Sequence, residues 1–132
     1  MRVLFIDDDA VWADGLIRIF RIIEGWDVVF VRSPKEAVDA LRSSILPVDL
    51  IILDVMMAPD EVADTGPDDM GQSTGLALLE TLAGMTEGRV PVVLLTARQD
   101  LAKVEFQSRA KLYLEKTLTA DEIIDSIKGI FS

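Results

Sequence analysis

The sequence of 132 residues contains no cysteine and no histidine. The absence of cysteine excludes disulfide bonds and thiolate metal sites. The absence of histidine removes the commonest general base and the usual nitrogen ligand of zinc. Any metal must therefore be held by oxygen atoms, which favours Mg²⁺, Mn²⁺ or Ca²⁺.

Basic residues are also scarce, since 13 lysines and arginines stand against 23 aspartates and glutamates. The resulting net charge of −10 argues against a surface that binds nucleic acid, because such a surface needs positive side chains. No apolar run approaches the roughly 20 residues of a membrane-spanning helix. Asp7 interrupts the first apolar run, so no signal peptide is predicted. We expect a cytoplasmic protein that binds neither nucleic acid nor a membrane.

What the sequence does contain is an alternation of short apolar runs and amphipathic segments. Half of the residues are hydrophobic, and a chain of this length can bury the core of one domain. The pattern predicts five strands and five helices, and right-handed crossovers between them produce an open, doubly wound α/β sheet. The predicted strands span residues 2–7, 27–32, 49–54, 90–95 and 111–114. The predicted helices span 10–24, 74–82 and 99–109, and two more begin with capping boxes at Ser33 and Thr119.

An irregular acidic stretch at about 57–73 follows the third predicted strand. It contains Pro59, Gly66, Pro67 and Gly71 among several acidic residues. Connections in compact domains are usually about 4–6 residues long, so this one is unusually extended. We expect a solvated loop that either recognises a partner or is a passive insertion.

Polar residues that can bind a ligand or take part in a reaction stand at the carboxyl ends of four predicted strands. They are Asp7 and Asp8 after the first strand, Asp54 at the end of the third, Thr96 after the fourth and Lys116 after the fifth. Ligands of parallel α/β sheets bind at the carboxyl ends of the strands. Three acids, a hydroxyl and an ammonium at that edge predict a site for phosphate and metal.

These motifs, in this order, resemble the receiver domain of bacterial two-component response regulators. The resemblance rests on Phe5-Ile6-Asp7-Asp8-Asp9, Leu53-Asp54-Val55-Met56-Met57, Leu94-Leu95-Thr96-Ala97 and Tyr113-Leu114-Glu115-Lys116. It covers residues 1–132 and implies a single receiver domain with the extended loop inside it. It further implies a five-stranded parallel sheet of order 2-1-3-4-5 in a flavodoxin-like three-layer sandwich. Strands 1 and 3 are then neighbours, and the three aspartates of the first and third strands converge.

Phosphoryl chemistry suggests a role for each acidic residue. A carboxylate that attacks a phosphoryl group is one anion attacking another, so a cation must offset both charges. We expect Mg²⁺ (or Mn²⁺) to be bound by Asp8, Asp54 and the carbonyl of Met56, with Asp7 acting through water. Asp54 is the expected nucleophile, which forms an aspartyl phosphate.

The remaining site residues are expected to contact the phosphoryl group or to respond to it. Thr96 would donate a hydrogen bond to a phosphoryl oxygen, and Lys116 would neutralise another as a compact charge. The resemblance implies that Tyr113 is a switch aromatic, which turns inward when Thr96 engages phosphate. The sequence also departs from the family pattern. Thr117 follows the lysine where the family usually has proline, and the long loop places the family's glycine at Gly75.

The resemblance implies a phosphorelay signalling domain rather than a turnover enzyme. Such a domain accepts a phosphoryl group on Asp54 from a histidine kinase or a phosphotransfer protein. It then switches contacts with a downstream protein target or a separate output domain, and a homodimer is left open. One alternative is a degenerate receiver that binds partners without phosphorylation. The other is a phosphohydrolase of the haloacid dehalogenase type, which Asp7-x-Asp9, Thr96 and Lys116 resemble but which leaves Asp54 unexplained.

Overall fold

The computed structural model describes residues 1–43, 47–55, 72–97 and 110–132, which contain five strands and four helices. The strands are β1 (Arg2–Ile6), β2 (Asp27–Val31), β3 (Leu50–Asp54), β4 (Val92–Thr96) and β5 (Leu112–Glu115). The helices are α1 (Ala10–Ile22), α2 (Pro34–Ser43), α3 (Gln72–Met85) and α4 (Ala120–Ile130). None of the described helices is long and apolar enough to cross a membrane.

The five strands form one sheet, and every pair of neighbours is parallel. The order is β2-β1-β3-β4-β5, which confirms the sheet order implied by the resemblance. Strands β3 and β4 are buried over all five of their residues. Continuous burial is expected of central parallel strands, because helices cover both faces of the sheet.

Two apolar clusters fill the space between the sheet and its helices. One cluster lies under α2 and α3 and contains Leu4 and Leu94 from the sheet. The other lies under α1 and α4 and contains Phe5 and Val93. Successive side chains of a strand point to opposite faces, so each strand contributes to both clusters. The predicted doubly wound, three-layer arrangement is confirmed.

Capping residues define where the helices begin. Thr119 Oγ1 accepts the N–H of Glu122, and the Glu122 carboxylate accepts the N–H of Thr119, so the capping box predicted for α4 is complete. Hydrogen bonding to the backbone N–H of Thr119 and, second, to its side chain favours the charged carboxylate and lowers the pKa of Glu122. At α2, Ser33 Oγ accepts the N–H of Glu36 at 3.2 Å, as predicted. The Glu36 carboxylate, however, accepts the N–H of Arg32, so this box closes one residue earlier than a standard box.

Most of the described strands and helices differ from their predicted bounds by one to three residues, and two of these differences are informative. Helix α3 begins at Gln72 and ends at Met85, so the last two residues of the predicted 57–73 loop belong to a helix. Strand β4 begins at Val92 rather than at residue 90, because Pro91 has no N–H to give to a neighbouring strand. Residues 57–71 of the predicted loop and the predicted helix at 99–109 lie outside the described residues.

We predict that Gly75→Ala destabilises the protein and that Gly84→Ala in the same helix does not. A Cβ at residue 75 would overlap the carbonyl oxygen of Val55, so α3 would have to move away from the end of β3. Such overpacking costs about 1–3 kcal/mol. A Cβ at residue 84 would meet no atom within 4 Å, and alanine is the better helix former by about 0.5–1 kcal/mol. Urea unfolding of both variants measures the difference, and equal midpoints would contradict the close approach of α3 to Val55.

Candidate functional site

Backbone hydrogen bonds continue the sheet one residue beyond the carboxyl ends of its strands. The N–H of Asp7 donates to the carbonyl of Val31 at 3.1 Å, although β1 ends at Ile6. The N–H of Lys116 donates to the carbonyl of Thr96 at 2.7 Å, although β5 ends at Glu115. These extra bonds hold the backbone of Asp7 and Lys116 in line with the strands that precede them. The sheet itself therefore positions two of the predicted site residues.

Asp7, Asp54 and Lys116 occupy the side-chain rows that face α1 and α4. The residues two positions before them all pack in the apolar cluster under these helices; they are Phe5, Ile52 and Leu114. Because side chains alternate along a strand, the three charged side chains emerge on the same side of the sheet. The alternation thus explains why groups from β1, β3 and the end of β5 can meet.

Three aspartates meet at the point where the strand order reverses, between β1 and β3. Carboxylate oxygens of Asp7, Asp8 and Asp54 lie within 4.8 Å of one another. Asp7 is fully buried, Asp54 is buried and Asp8 is exposed. Ligand oxygens around Mg²⁺ lie roughly 2.0–2.1 Å from the ion and so within about 4 Å of one another. Oxygens at adjacent octahedral positions are about 3 Å apart, so a contraction of up to about 2 Å would allow this oxygen-only group to hold a divalent cation.

The ammonium of Lys116 compensates the charge of the two buried aspartates. Its Nζ lies 2.8 Å from Asp7 Oδ2 and 3.8 Å from Asp54 Oδ2, and its side chain is only 10% exposed. A buried charge that loses its partner costs on the order of 3–5 kcal/mol, so this contact matters for folding. Within the described residues no peptide bond is cis. Lys116 thus reaches both aspartates with a trans peptide to Thr117.

Asp7 and Asp9 also organise the start of α1. Asp7 Oδ1 accepts the N–H of Asp9 at 2.8 Å. Asp9 is the N-cap of α1, and its carboxylate accepts the N–H of Trp12 at 3.1 Å. Asp8 is tied through its backbone, because the guanidinium of Arg32 donates to its carbonyl at 3.3 Å. The three consecutive aspartates therefore have different roles: Asp7 and Asp8 belong to the acidic group with Asp54, and Asp9 caps α1.

Trp12 belongs to the site, although the sequence did not predict it. The Nζ of Lys116 lies 4.5 Å from the centroid of the Trp12 ring, which is within cation–π range. The ring is half-buried and contacts Phe5 with a centroid distance of 6.5 Å. Helical spacing places Trp12 on the apolar face of α1, which favours a packing role. One sequence feature could have indicated that Trp12 belongs to the site. It lies three residues after the capping Asp9, in the turn of α1 nearest the acidic group.

Thr96 and Tyr113 lie on the other face of the sheet. Thr96 ends β4 and is fully buried, and it continues the row of Leu94, which packs under α2 and α3. Tyr113 is half-buried in β5, pairs in register with Leu94, and packs against the same cluster. The two residues predicted to form a switch therefore share one face. Met56, whose carbonyl was predicted as a metal ligand, lies outside the described residues.

No protein-family model matches the sequence, and a search of curated proteins returned no match. A putative response regulator from Chloroflexus aurantiacus is 27% identical, with a TM-score of 0.74 over 98% of this chain and 95% of the other. A receiver domain of a Francisella response regulator is 26% identical, with a TM-score of 0.70 over 96% of this chain and 93% of the other.

A third solved structure shares the fold at lower identity. It is a response regulator from Thermotoga maritima in complex with Mg²⁺-BeF, with 23% identity and a TM-score of 0.75. The alignment covers 97% of this chain and 96% of that one. The chain therefore has the fold of response regulator receiver domains and resembles these domains over nearly its whole length.

Proposed function

We propose that this chain is a phosphorelay receiver that accepts a phosphoryl group on Asp54 from a histidine kinase or a phosphotransfer protein. One observation carries the proposal. Asp54 lies at the strand-order reversal of a receiver fold, with two further aspartates within 4.8 Å and an ammonium at 3.8 Å. Nucleophile, metal ligands and counter-charge are thus gathered at the edge of the sheet where such folds bind ligands.

The donor set suits a hard divalent cation, and Asp7, Asp8 and Asp54 would hold Mg²⁺ or Mn²⁺. When bound, the cation would offset the negative charge of both the carboxylate and the phosphoryl group. An oxygen of Asp54 attacks the phosphorus and forms a P–O bond while the P–N bond of the donor phosphohistidine breaks. The bonding electron pair leaves with the imidazole nitrogen, and the product is an acyl phosphate. Attack by a carboxylate needs no general base, which fits a chain without histidine.

Lys116 and Thr96 are the groups of this chain proposed to contact the transferred phosphoryl oxygens. The ion pair with Asp7 keeps the Lys116 ammonium within reach of a group attached to Asp54. A positioned positive charge stabilises the extra negative charge of the transition state without rearrangement. Thr96 ends the adjacent strand β4, and the Lys116 N–H donates to its carbonyl at 2.7 Å, so the two residues are held together.

The output of the proposed reaction is a change in protein contacts rather than a released product. Thr96 and Tyr113 share the face of the sheet under α2 and α3, whereas the charged groups face α1 and α4. Thr96 is also the last residue of β4, so it stands at the carboxyl edge next to the end of β3. A contact of phosphate with Thr96 would therefore act on the same face as Tyr113. We propose that this face transmits phosphorylation to a downstream protein target or a separate output domain.

The geometry gives the alternatives no comparable support. A phosphohydrolase of the haloacid dehalogenase type would need the second aspartate of Asp7-x-Asp9 in the site. Asp9 instead caps α1, and its carboxylate accepts the N–H of Trp12. A degenerate receiver has no need of a complete acidic group with a buried lysine as counter-ion. Both features are present here.

Phosphorylation of Asp54 can be tested with a small-molecule donor. Incubation with phosphoramidate or acetyl phosphate and Mg²⁺ should add the mass of one phosphoryl group to the intact protein. Asp54→Asn should abolish the gain, because it removes the attacking carboxylate oxygen. Asp14→Asn is the matched control, since Asp14 lies on the exposed side of α1 in an ion pair with Arg18. An Asp54→Asn protein that gained the same mass would refute the assignment.

Divalent cations should raise the melting temperature of the wild-type protein. A ligand that binds only the native state stabilises it by about 2.7 kcal/mol at 100 times its Kd. Asp8→Asn should remove most of the rise, because it removes the negative charge of an exposed ligand without disturbing the core. Differential scanning fluorimetry with MgCl₂ against NaCl of equal ionic strength separates binding from screening. Equal melting curves in both salts at saturating MgCl₂ would argue against a preformed site.

A further inference from the structure

We propose that Trp12 is a positioning residue for Lys116, whose ammonium it holds at the phosphoacceptor site. The proposal rests on the proposed function of Asp54. Its geometric basis is that one ammonium makes two close contacts on different elements. Lys116 Nζ lies 2.8 Å from Asp7 Oδ2 and 4.5 Å from the centroid of the Trp12 ring. A cation–π contact of this length strengthens as water is excluded, and the lysine side chain is only 10% exposed.

The ring of Trp12 is held from two directions. Its backbone N–H donates to the capping carboxylate of Asp9 at 3.1 Å, which fixes the first turn of α1. Its indole lies against the fully buried ring of Phe5, with an interplanar angle of 54°. The lysine side chain, in contrast, is a flexible four-carbon stem with rotatable donors. The rigid partner in this contact is therefore the ring, and the partner that it restrains is the ammonium.

The contacts form a closed circuit that begins and ends on one carboxylate. Asp7 Oδ1 accepts the N–H of Asp9, and Asp9 accepts the N–H of Trp12. The Trp12 ring contacts Lys116, and Lys116 pairs with Asp7 Oδ2. Both oxygens of the buried Asp7 are thus used, one for the helix cap and one for the ammonium. The circuit ties the position of Lys116 to the start of α1.

The ring is suited to this task because it uses none of the ammonium's hydrogen bonds. Attraction to an aromatic face comes from the ring quadrupole, so the three N–H donors of Lys116 stay available to oxygen acceptors. Asp7 alone would draw the ammonium away from the nucleophile Asp54. The Lys116 Nζ lies 2.8 Å from Asp7 Oδ2 but 3.8 Å from Asp54 Oδ2. We infer that the second attraction, from Trp12, keeps the ammonium facing the position where phosphoryl oxygens would lie.

Substitutions that remove the aromatic face in steps test this role. Trp12→Leu retains an apolar side chain without a ring, and Trp12→Phe retains a smaller ring. The rate of phosphorylation by phosphoramidate with Mg²⁺ should fall about 3- to 30-fold in Trp12→Leu, and less in Trp12→Phe. Trp26→Phe is the matched control, because Trp26 packs on Phe20 at a centroid distance of 4.9 Å and not on the lysine. Its rate should equal that of the wild type.

A double-substitution cycle separates positioning from general packing. If Trp12 acts through Lys116, then Trp12→Leu should have no further effect on the rate once Lys116→Met is present. Multiplicative losses in the double variant would overturn the proposal. Trp12→Phe enters the same cycle, so the result does not depend on the folding of Trp12→Leu.

Fluorescence supplies a readout that is independent of phosphorylation. In the Trp26→Phe protein, Trp12 is the remaining tryptophan, since the chain has two. Loss of the ammonium in Lys116→Met should shift its emission, whereas Lys111→Met should not. Unchanged emission in both variants would overturn the contact itself.

The outcomes for the two proposals are distinct. Absence of phosphorylation in the wild type, with the emission shift present, would refute the receiver function and leave the contact standing. Wild-type rates in Trp12→Leu, with a reduced rate in Lys116→Met, would refute the positioning role and leave the receiver function standing.

Discussion

The ion pair between Asp7 and Lys116 is the constraint on which the site depends. It joins the residue after β1 to the residue after β5, which are separated in the sheet by β3 and β4. A fully buried carboxylate is costly without a counter-charge, and the lysine supplies that charge. Asp54 lies between the two partners in strand order, so the same ammonium also compensates the charge of the proposed nucleophile. Folding stability and the proposed phosphoryl chemistry therefore depend on the same contact.

Burial of the central strands confines polar chemistry to the carboxyl edge of the sheet. Strands β3 and β4 are buried throughout, and their only polar residues are Asp54 and Thr96, at their last positions. The close approach of Gly75 to the Val55 carbonyl then brings α3 against the end of β3, which carries the proposed nucleophile. The site is thus framed by backbone packing on one side and by the aspartates and the lysine on the other.

The sequence was sufficient to predict the features that follow from periodicity and strand-end chemistry. Five strands, the order implied by the resemblance and the convergence of Asp7, Asp8 and Asp54 are all confirmed. The contact of Trp12 with Lys116 was missed, because helical spacing predicts only that an aromatic residue packs in the core. It does not indicate whether one face of the ring also contacts a charged group. The start of α3 was misplaced, because Gln72 and Ser73 are not distinguished from the preceding loop by any local signal. The site is divided between the two faces of the sheet. The face on which each strand-end side chain lies is known only once the register of the strands is known.

The division of the site between two faces of the sheet determines where the chain can tolerate changes in length. Lys116 and Tyr113 differ by an odd number of positions, so they leave β5 on opposite faces. Insertion or deletion of one residue within β5 would turn the ammonium of Lys116 to the face under α2 and α3, away from Asp7. Residues added between β3 and α3 leave the pairing of every strand unchanged. The length of that connection can therefore change without disturbing the sheet, while each strand must keep its residue count.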